Sequence, residues 1–185
     1  MSQNLQSFVK GASMLRSVAN RVPGAAWDNA SCCEGWSARQ VAGHITWGLE
    51  TVANFAAGGG MAADMPEAER AGADPAATLS SAVDAAVAAL DQPGALAHDT
   101  PFGMPLDGFL ALMSMDTMAH AWDIADATGI DHGIDEASAA ATQAILAPMA
   151  EQMRGPGRFD DAVETDSTNA VDQLMAFSGR TSVRS

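Results

Sequence analysis

Apolar residues recur along this chain at helical spacing. Phe8, Val9, Ala12, Leu15 and Ala19 form one stripe and predict a first helix from about Leu5 to Val22, ended by Pro23-Gly24. A loop follows from Trp27 to Gly35. Ser37 and Gln40 then make a Ser-x-x-Gln capping box, with Trp36 and Val41 as its hydrophobic staple. The helix they start runs to about Ala57 and dissolves in Gly58-Gly59-Gly60. Its apolar face holds Val41, Trp47, Val52 and Phe55, while Arg39, Thr46 and Glu50 point away. Residues 61–73 read as a mobile loop. Asp74-Pro75 caps a third helix that reaches Leu90 on a stripe of Leu79, Val83, Val87 and Leu90. Residues 95–106 read as an extended loop, because Pro101, Gly103 and Pro105 exclude regular helix.

The longest pattern is Leu106 to Gly129, with Asp107 as its cap and Gly129 as the residue that ends it. A fifth helix is predicted from near Asp135 to about Met153, bent at Pro148. Gly155-Pro156-Gly157 reads as a turn and Asp160 to Asp166 as a solvated acidic loop. Ser167 is the expected cap of a short last helix that buries Val171, Leu174, Met175 and Phe177. Residues 180–185 are expected to fray. Helices joined by loops, with no strand signal and no internal repeat, predict an all-α helix bundle formed as a single domain over residues 1–185.

Composition narrows the possible partners. The net charge is −14, and Lys10 is the lone lysine. No basic patch is available to neutralise phosphates, which argues against nucleic acid and against an anionic membrane surface. No apolar run is long enough to span a bilayer, and the N-terminus lacks a basic region followed by an apolar one. The two cysteines, Cys32 and Cys33, are adjacent and do not read as a disulfide framework. A cytoplasmic, reduced protein is the expectation. Nothing near them in sequence lowers a thiol pKa, so both read as inert.

One feature breaks the apolar pattern. Asp116, His120 and Asp123 share a face of the long helix, flanked by Phe109, Leu112, Met113, Ala119 and Ala127. His44 stands likewise in the middle of the apolar face of the second helix. Buried ionisable groups are costly unless they are paired or bind a metal. Asp116 and His120, one turn apart, suit two ligands of one metal, and His44 can supply a third from a facing helix. Two imidazoles and a carboxylate leave a position open for water or substrate, which points to chemistry rather than to a closed structural site. Zn²⁺ is the first candidate, with Ni²⁺, Fe²⁺ and Mn²⁺ compatible with the same spacing. Asp123 can accept a hydrogen bond from a ligand imidazole or anchor a nearby backbone group. His98 and His132 read as surface loop residues. Trp36 reads as a staple, Trp47 and Trp122 as core, and Met113, Met115 and Met118 as gap-filling core. The loop 95–106, near the start of the ligand helix, is expected to cover the mouth of the site.

At these residues the sequence resembles a known family. Glu34-Gly35-Trp36-Ser37 through Val41 to His44 resembles the C-x-G-W-[ST]-x-x-x-[LV]-x-x-H segment of the DinB/YfiT-like superfamily, in its mycothiol-dependent maleylpyruvate isomerase N-terminal-domain branch. Asp116 to Gly129 resembles that branch's D/E-x-x-x-H-x-W-D-L-A-x-A-T-G. Gln173 to Arg180 resembles the closing LLAFLGR of its actinobacterial metal-binding members. The resemblance implies a DinB-like four-helix bundle with additional short helices. It implies a divalent metal on His44, Asp116 and His120, and a small thiol such as mycothiol or bacillithiol as nucleophile or cofactor. It differs in carrying Asp116 where the characterised isomerase has Glu, and in stopping after the bundle where that isomerase has a second domain. Members often form homodimers. The expected function is a metal-dependent thiol transferase or isomerase-like enzyme acting on an electrophilic substrate. The alternatives are a hydrolase using activated water and a non-catalytic, metal-stabilised dimerising bundle.

Overall fold

Four helices close a ring around the main core. In the computed structural model, which describes residues 1–155 and 160–184, α1 spans Gln3–Ala19, α2 Ala38–Ala56, α4 Pro75–Leu90 and α5 Leu106–Thr128. Helix α1 packs on α5, α5 on α2, α2 on α4, and α4 back on α1. Phe8, Leu15, Ile45, Leu49, Phe55, Leu79, Leu110 and Ile124 fill the space between them. A second apolar cluster lies on the far side of α5. There Met115, Met118 and Trp122 meet α6 (Glu136–Leu146) and α8 (Ala170–Phe177) through Ala139, Leu146, Val171, Leu174 and Met175. Helix α5 is therefore buried around most of its circumference, the pattern of a central helix. The chain folds as an all-α bundle, as its patterning predicts, with additional short helices, as the family resemblance implies.

Small residues allow the close approaches. A Cβ on Gly11 would overlap the Thr117 hydroxyl of α5, and one on Gly48 would lie 2.9 Å from Met113 Cε. Gly43 lies against the backbone of Glu67, which opens α3 (Glu67–Ala71). This short helix falls within the segment expected to be a loop. It forms because Ala71 is fully buried and the Arg70 guanidinium bonds the Glu50 carboxylate of α2. No helix among the described residues is long and apolar enough to cross a membrane.

The capping box at Ser37 and Gln40 is present, and Asp74 caps α4 through Ala77 N–H. Other ends differ from the sequence reading. Ser2 caps α1, which starts earlier and ends earlier than expected. Pro105, not Asp107, precedes α5, and Asp107 in its first turn accepts hydrogen bonds from Ser2 and Asn4 of the α1 start. Asn169, not Ser167, caps α8; Ser167 instead donates to Asp172 at 2.6 Å. The fifth helix stops at Leu146 because Pro148 brings a ring and no N–H. A tight turn, Ala147–Met149, precedes the one-turn α7 at Ala150–Met153. Of the turn expected at Gly155-Pro156-Gly157, Pro156 and Gly157 lie outside the described residues. Thr46 does not face solvent: it is buried and donates to the Ala42 carbonyl at 2.8 Å. Phe177 is half-buried rather than core.

The largest departure is at the C-terminus. Residues 180–184 do not fray. Ser182 Oγ and Val183 N–H donate to the Asp126 carboxylate at 2.6 and 2.7 Å. Arg184 reaches the carbonyls of Ala125, Asp126 and Ile130 at the end of α5. Hydrogen-bond donors in the tail thus add to the Gly129 and Ile130 amides that already cap the carbonyls of Ala125 and Asp126.

Candidate metal centre

Helices α2 and α5 approach at Gly48, and this brings their polar residues together. His120 Nε2 lies 3.3 Å from Asp116 Oδ1, and the His44 and His120 rings are 5.2 Å apart, edge to face. One ligand atom from each of His44, Asp116 and His120 falls within 4.8 Å of the others. His120 is buried, His44 is half-buried, and the Asp116 side chain keeps 33% of its exposure. His44 therefore sits at the rim of a cavity, not in the middle of a packed face. Trp36 flanks its ring at 5.1 Å and Trp47 at 6.2 Å. Trp47 is only half-buried and donates its indole N–H to the Ala62 carbonyl.

Behind this cluster lies Asp123, with no solvent exposure. Its carboxylate holds His120 Nδ1 at 2.8 Å, Arg180 Nε at 2.7 Å and Arg180 Nη2 at 3.0 Å. The two sulfurs also turn to it, Cys32 Sγ at 3.1 Å and Cys33 Sγ at 3.5 Å. With Nδ1 engaged, the other ring nitrogen of His120 is the one presented to Asp116.

The charges follow from these contacts. Burial works against ionising Asp123, but the Arg180 guanidinium and His120 hold its carboxyl well below the usual carboxylate range. Burial likewise opposes a charged His120. The Asp116 charge and the hydrogen bonds that His120 donates to Asp116, Asp123 and Cys33 outweigh it and raise this imidazole well above its ordinary value. His44 is pushed down, first by burial and then by the charge on His120. The Cys33 thiol falls to about 6, chiefly because the Cys32 thiol hydrogen-bonds to it, with His120 adding to the effect; the same contact, burial and Asp123 push Cys32 up.

A cavity of about 530 Å³ opens over the cluster. Cys32, Cys33, Glu34 and Trp36 of the loop before α2 form one wall. Glu67, Asp160 and residues 178–180 form others. The loop 95–106 takes no part. It packs at the other end of α2, where His98 Nδ1 meets the Phe55 carbonyl at 3.1 Å and Phe102 stacks on Phe109. His98 is thus a helix-end partner, and His132 Nδ1 accepts from Ile134 N–H in a local turn.

Sequence reading missed Cys32, Cys33 and Arg180 as parts of this site. Cys33 stands at the cysteine of the C-x-G-W segment, and Arg180 closes the LLAFLGR-like tail. Neither signal says which buried carboxylate the side chain will meet.

The fold agrees with comparisons to known proteins. The model of the mycothiol maleylpyruvate isomerase N-terminal domain family matches residues 9–125. The chain belongs to that family. Two uncharacterized proteins from different strains of Mycobacterium tuberculosis are each 32% identical to it over 158 residues, spanning 80% of this chain and 82% of theirs. A crystal structure of the mycothiol-dependent maleylpyruvate isomerase superposes with a TM-score of 0.58 at 20% identity, covering 82% of this chain and 68% of that one. At that identity the superposition speaks for the fold. The family segment includes Cys32, Cys33, His44, Asp116, His120 and Asp123 but ends before Arg180.

Proposed function

We propose that His44, Asp116 and His120 hold a divalent metal, Zn²⁺ first among the candidates, and that the site uses a small thiol of the mycothiol type against an electrophilic substrate. The observation that carries the reading is the donor set. Two imidazoles and a carboxylate from facing helices converge at one side of an open cavity. The 3.3 Å between His120 Nε2 and Asp116 Oδ1 is about the edge of a tetrahedron built on bonds of ~2.0–2.1 Å. The donor set fits a metal that keeps an open position. Membership of a family described by mycothiol chemistry supports the thiol.

When bound, such a metal lowers the pKa of a thiol or water in its open position and so supplies a nucleophile at neutral pH. The protein's own groups do the rest. Asp123 accepts the Nδ1 proton of His120 and fixes which nitrogen faces the cavity, and Arg180 keeps that carboxylate charged. Trp36 and Trp47 restrict the His44 ring. Glu34 and Glu67 line the path into the site.

Elemental analysis of the purified protein, with His44→Ala beside it, tests the metal. A wild type that carries no metal and gains no thermal stability with added Zn²⁺ or Ni²⁺ sinks the proposal. The thiol reading makes a separate demand. The metal form should consume mycothiol in the presence of a chlorinated dinitrobenzene faster than Asp116→Ala does, and equal rates would leave the metal a stabilising role only. Turnover of an ester without thiol would instead favour the hydrolase.

A further inference from the structure

Two thiols at the cavity wall have no task in the metal reading. Adjacent residues in extended backbone send their side chains to opposite sides. Cys32 and Cys33 do not, since both sulfurs meet the carboxylate of Asp123. A tight turn holds them there: Trp36 N–H bonds back to the Cys33 carbonyl at 2.9 Å, and Gly35 takes a φ of 76°. The sulfurs and the Asp123 oxygen lie within 4.8 Å of one another. Both cysteines are half-buried and line the cavity. The Arg180 guanidinium, on the same carboxylate, places a positive charge beside them. Two neighbouring thiols, reachable from a cavity and held on a carboxylate whose charge a guanidinium offsets, are placed for thiol–disulfide exchange.

We propose that Cys32 and Cys33 form a second reactive site that exchanges with the disulfide of a small thiol, R–S–S–R. Cys33 Sγ attacks one sulfur, the Cys33–S–S–R bond forms, and R–SH leaves with the proton that Cys33 gave up. Cys32 Sγ then attacks the Cys33 sulfur, closes the Cys32–Cys33 disulfide and releases a second R–SH with its own proton. Two electrons pass from the pair to the small disulfide, which is the oxidant. Cys33 is placed first because Cys32 is the more closely held by Asp123. A ring between neighbours has its Cα atoms only ~3.8 Å apart, inside the usual disulfide span of ~4.4–6.8 Å, so it is strained and easily reopened. Excess small thiol therefore resets the pair. The inference rests on the proposed function only for the identity of R.

The test treats the full chain with bis(2-hydroxyethyl) disulfide and follows intact mass, peptide mass and released thiol. Wild type should lose two hydrogens, retain no adduct and release two equivalents of 2-mercaptoethanol. Cys32→Ser should stop at one hydroxyethylthio adduct on Cys33. Cys33→Ser should react about tenfold more slowly than Cys32→Ser. Circular dichroism of the serine variants, with the alanine variants as a second set, checks that they fold. Wild type dialysed against EDTA should exchange as before, so exchange survives even if the metal reading fails. A wild type that keeps stable adducts, serine variants that react at equal rates, an unreactive wild type, or loss of exchange after EDTA would each overturn the proposal.

Discussion

Replacing Arg180 by alanine removes the guanidinium that faces a carboxylate with no exposure to solvent. Asp123 is 0% exposed, and two of its contacts, at 2.7 and 3.0 Å, form a fork from Arg180. Breaking a buried pair from one side costs about 3–5 kcal/mol, because it leaves a charge without its partner. His120 Nδ1 remains at 2.8 Å, so the loss belongs at the lower end, about 3 kcal/mol. Urea unfolding reads it. With a slope of about 2 kcal/mol per molar, the midpoint should fall by roughly 1.5 M near neutral pH. Arg180→Lys keeps the charge but not the fork and should recover part of the loss. The pH dependence has a definite sign. In wild type the Asp123 carboxyl is held low, so its stabilisation is full above the unfolded value near ~3.9 and is lost as pH falls through the folded one. In Arg180→Ala burial is less opposed, the carboxyl titrates higher, and acid relieves the strain. The gap between the two proteins should therefore narrow below about pH 5. A difference under about 0.5 kcal/mol at neutral pH, the size of an ordinary surface substitution, would refute the buried pair.

Removing residues 181–185 leaves Arg180 in place but strips the nearly buried Asp126 of Ser182 and Val183. It should cost about 1–3 kcal/mol in the same unfolding assay, whereas a frayed tail would cost nothing. Gly43→Ala drives a Cβ into the backbone of Glu67. It should destabilise by about 1–3 kcal/mol and expose the α3 amides to hydrogen exchange, with the amides of α1 unchanged. Zn²⁺ uptake, followed calorimetrically in buffers of different ionisation enthalpy, should release a proton from His120, whose pKa is raised. Apparent affinity should then rise by about tenfold per pH unit up to that pKa; an affinity flat between pH 6 and 8 would count against His120 as a ligand.

What the sequence made legible was local. The capping box at Ser37, the Asp74-Pro75 start and the Gly129 end depend on neighbours three or four residues away, and each stands where the pattern places it. The same is true of Asp116 and His120, one turn apart on one helix. Its errors have a common physical form. Asp107 looks like a cap from its place before an apolar run, yet its partners Ser2 and Asn4 are more than a hundred residues away. Arg180 looks frayed from its place near the chain end, yet it lies 57 residues from the carboxylate it neutralises. Cys32 and Cys33 look inert from their sequence neighbours alone. Their surroundings come from α5 and the tail. Periodicity also misplaced His44. Helix α2 is buried on more than one side, so the apolar stripe alone did not reveal which edge opens to the cavity.

Asp123 shows why stability and site geometry are coupled here. A carboxylate serving only the fold would be satisfied by the Arg180 fork. One serving only to orient His120 would need no guanidinium and could face water. Asp123 does both with no exposure, and it takes the two thiols as well. The loop before α2, the middle of α5 and the C-terminal tail thus converge on one charge. Any movement of the tail changes the field at that charge, and with it the proton on His120 Nδ1. The ring nitrogen presented to Asp116 is fixed by Asp123, three residues on in the same helix, and the docked tail holds the charge on that carboxylate through Arg180.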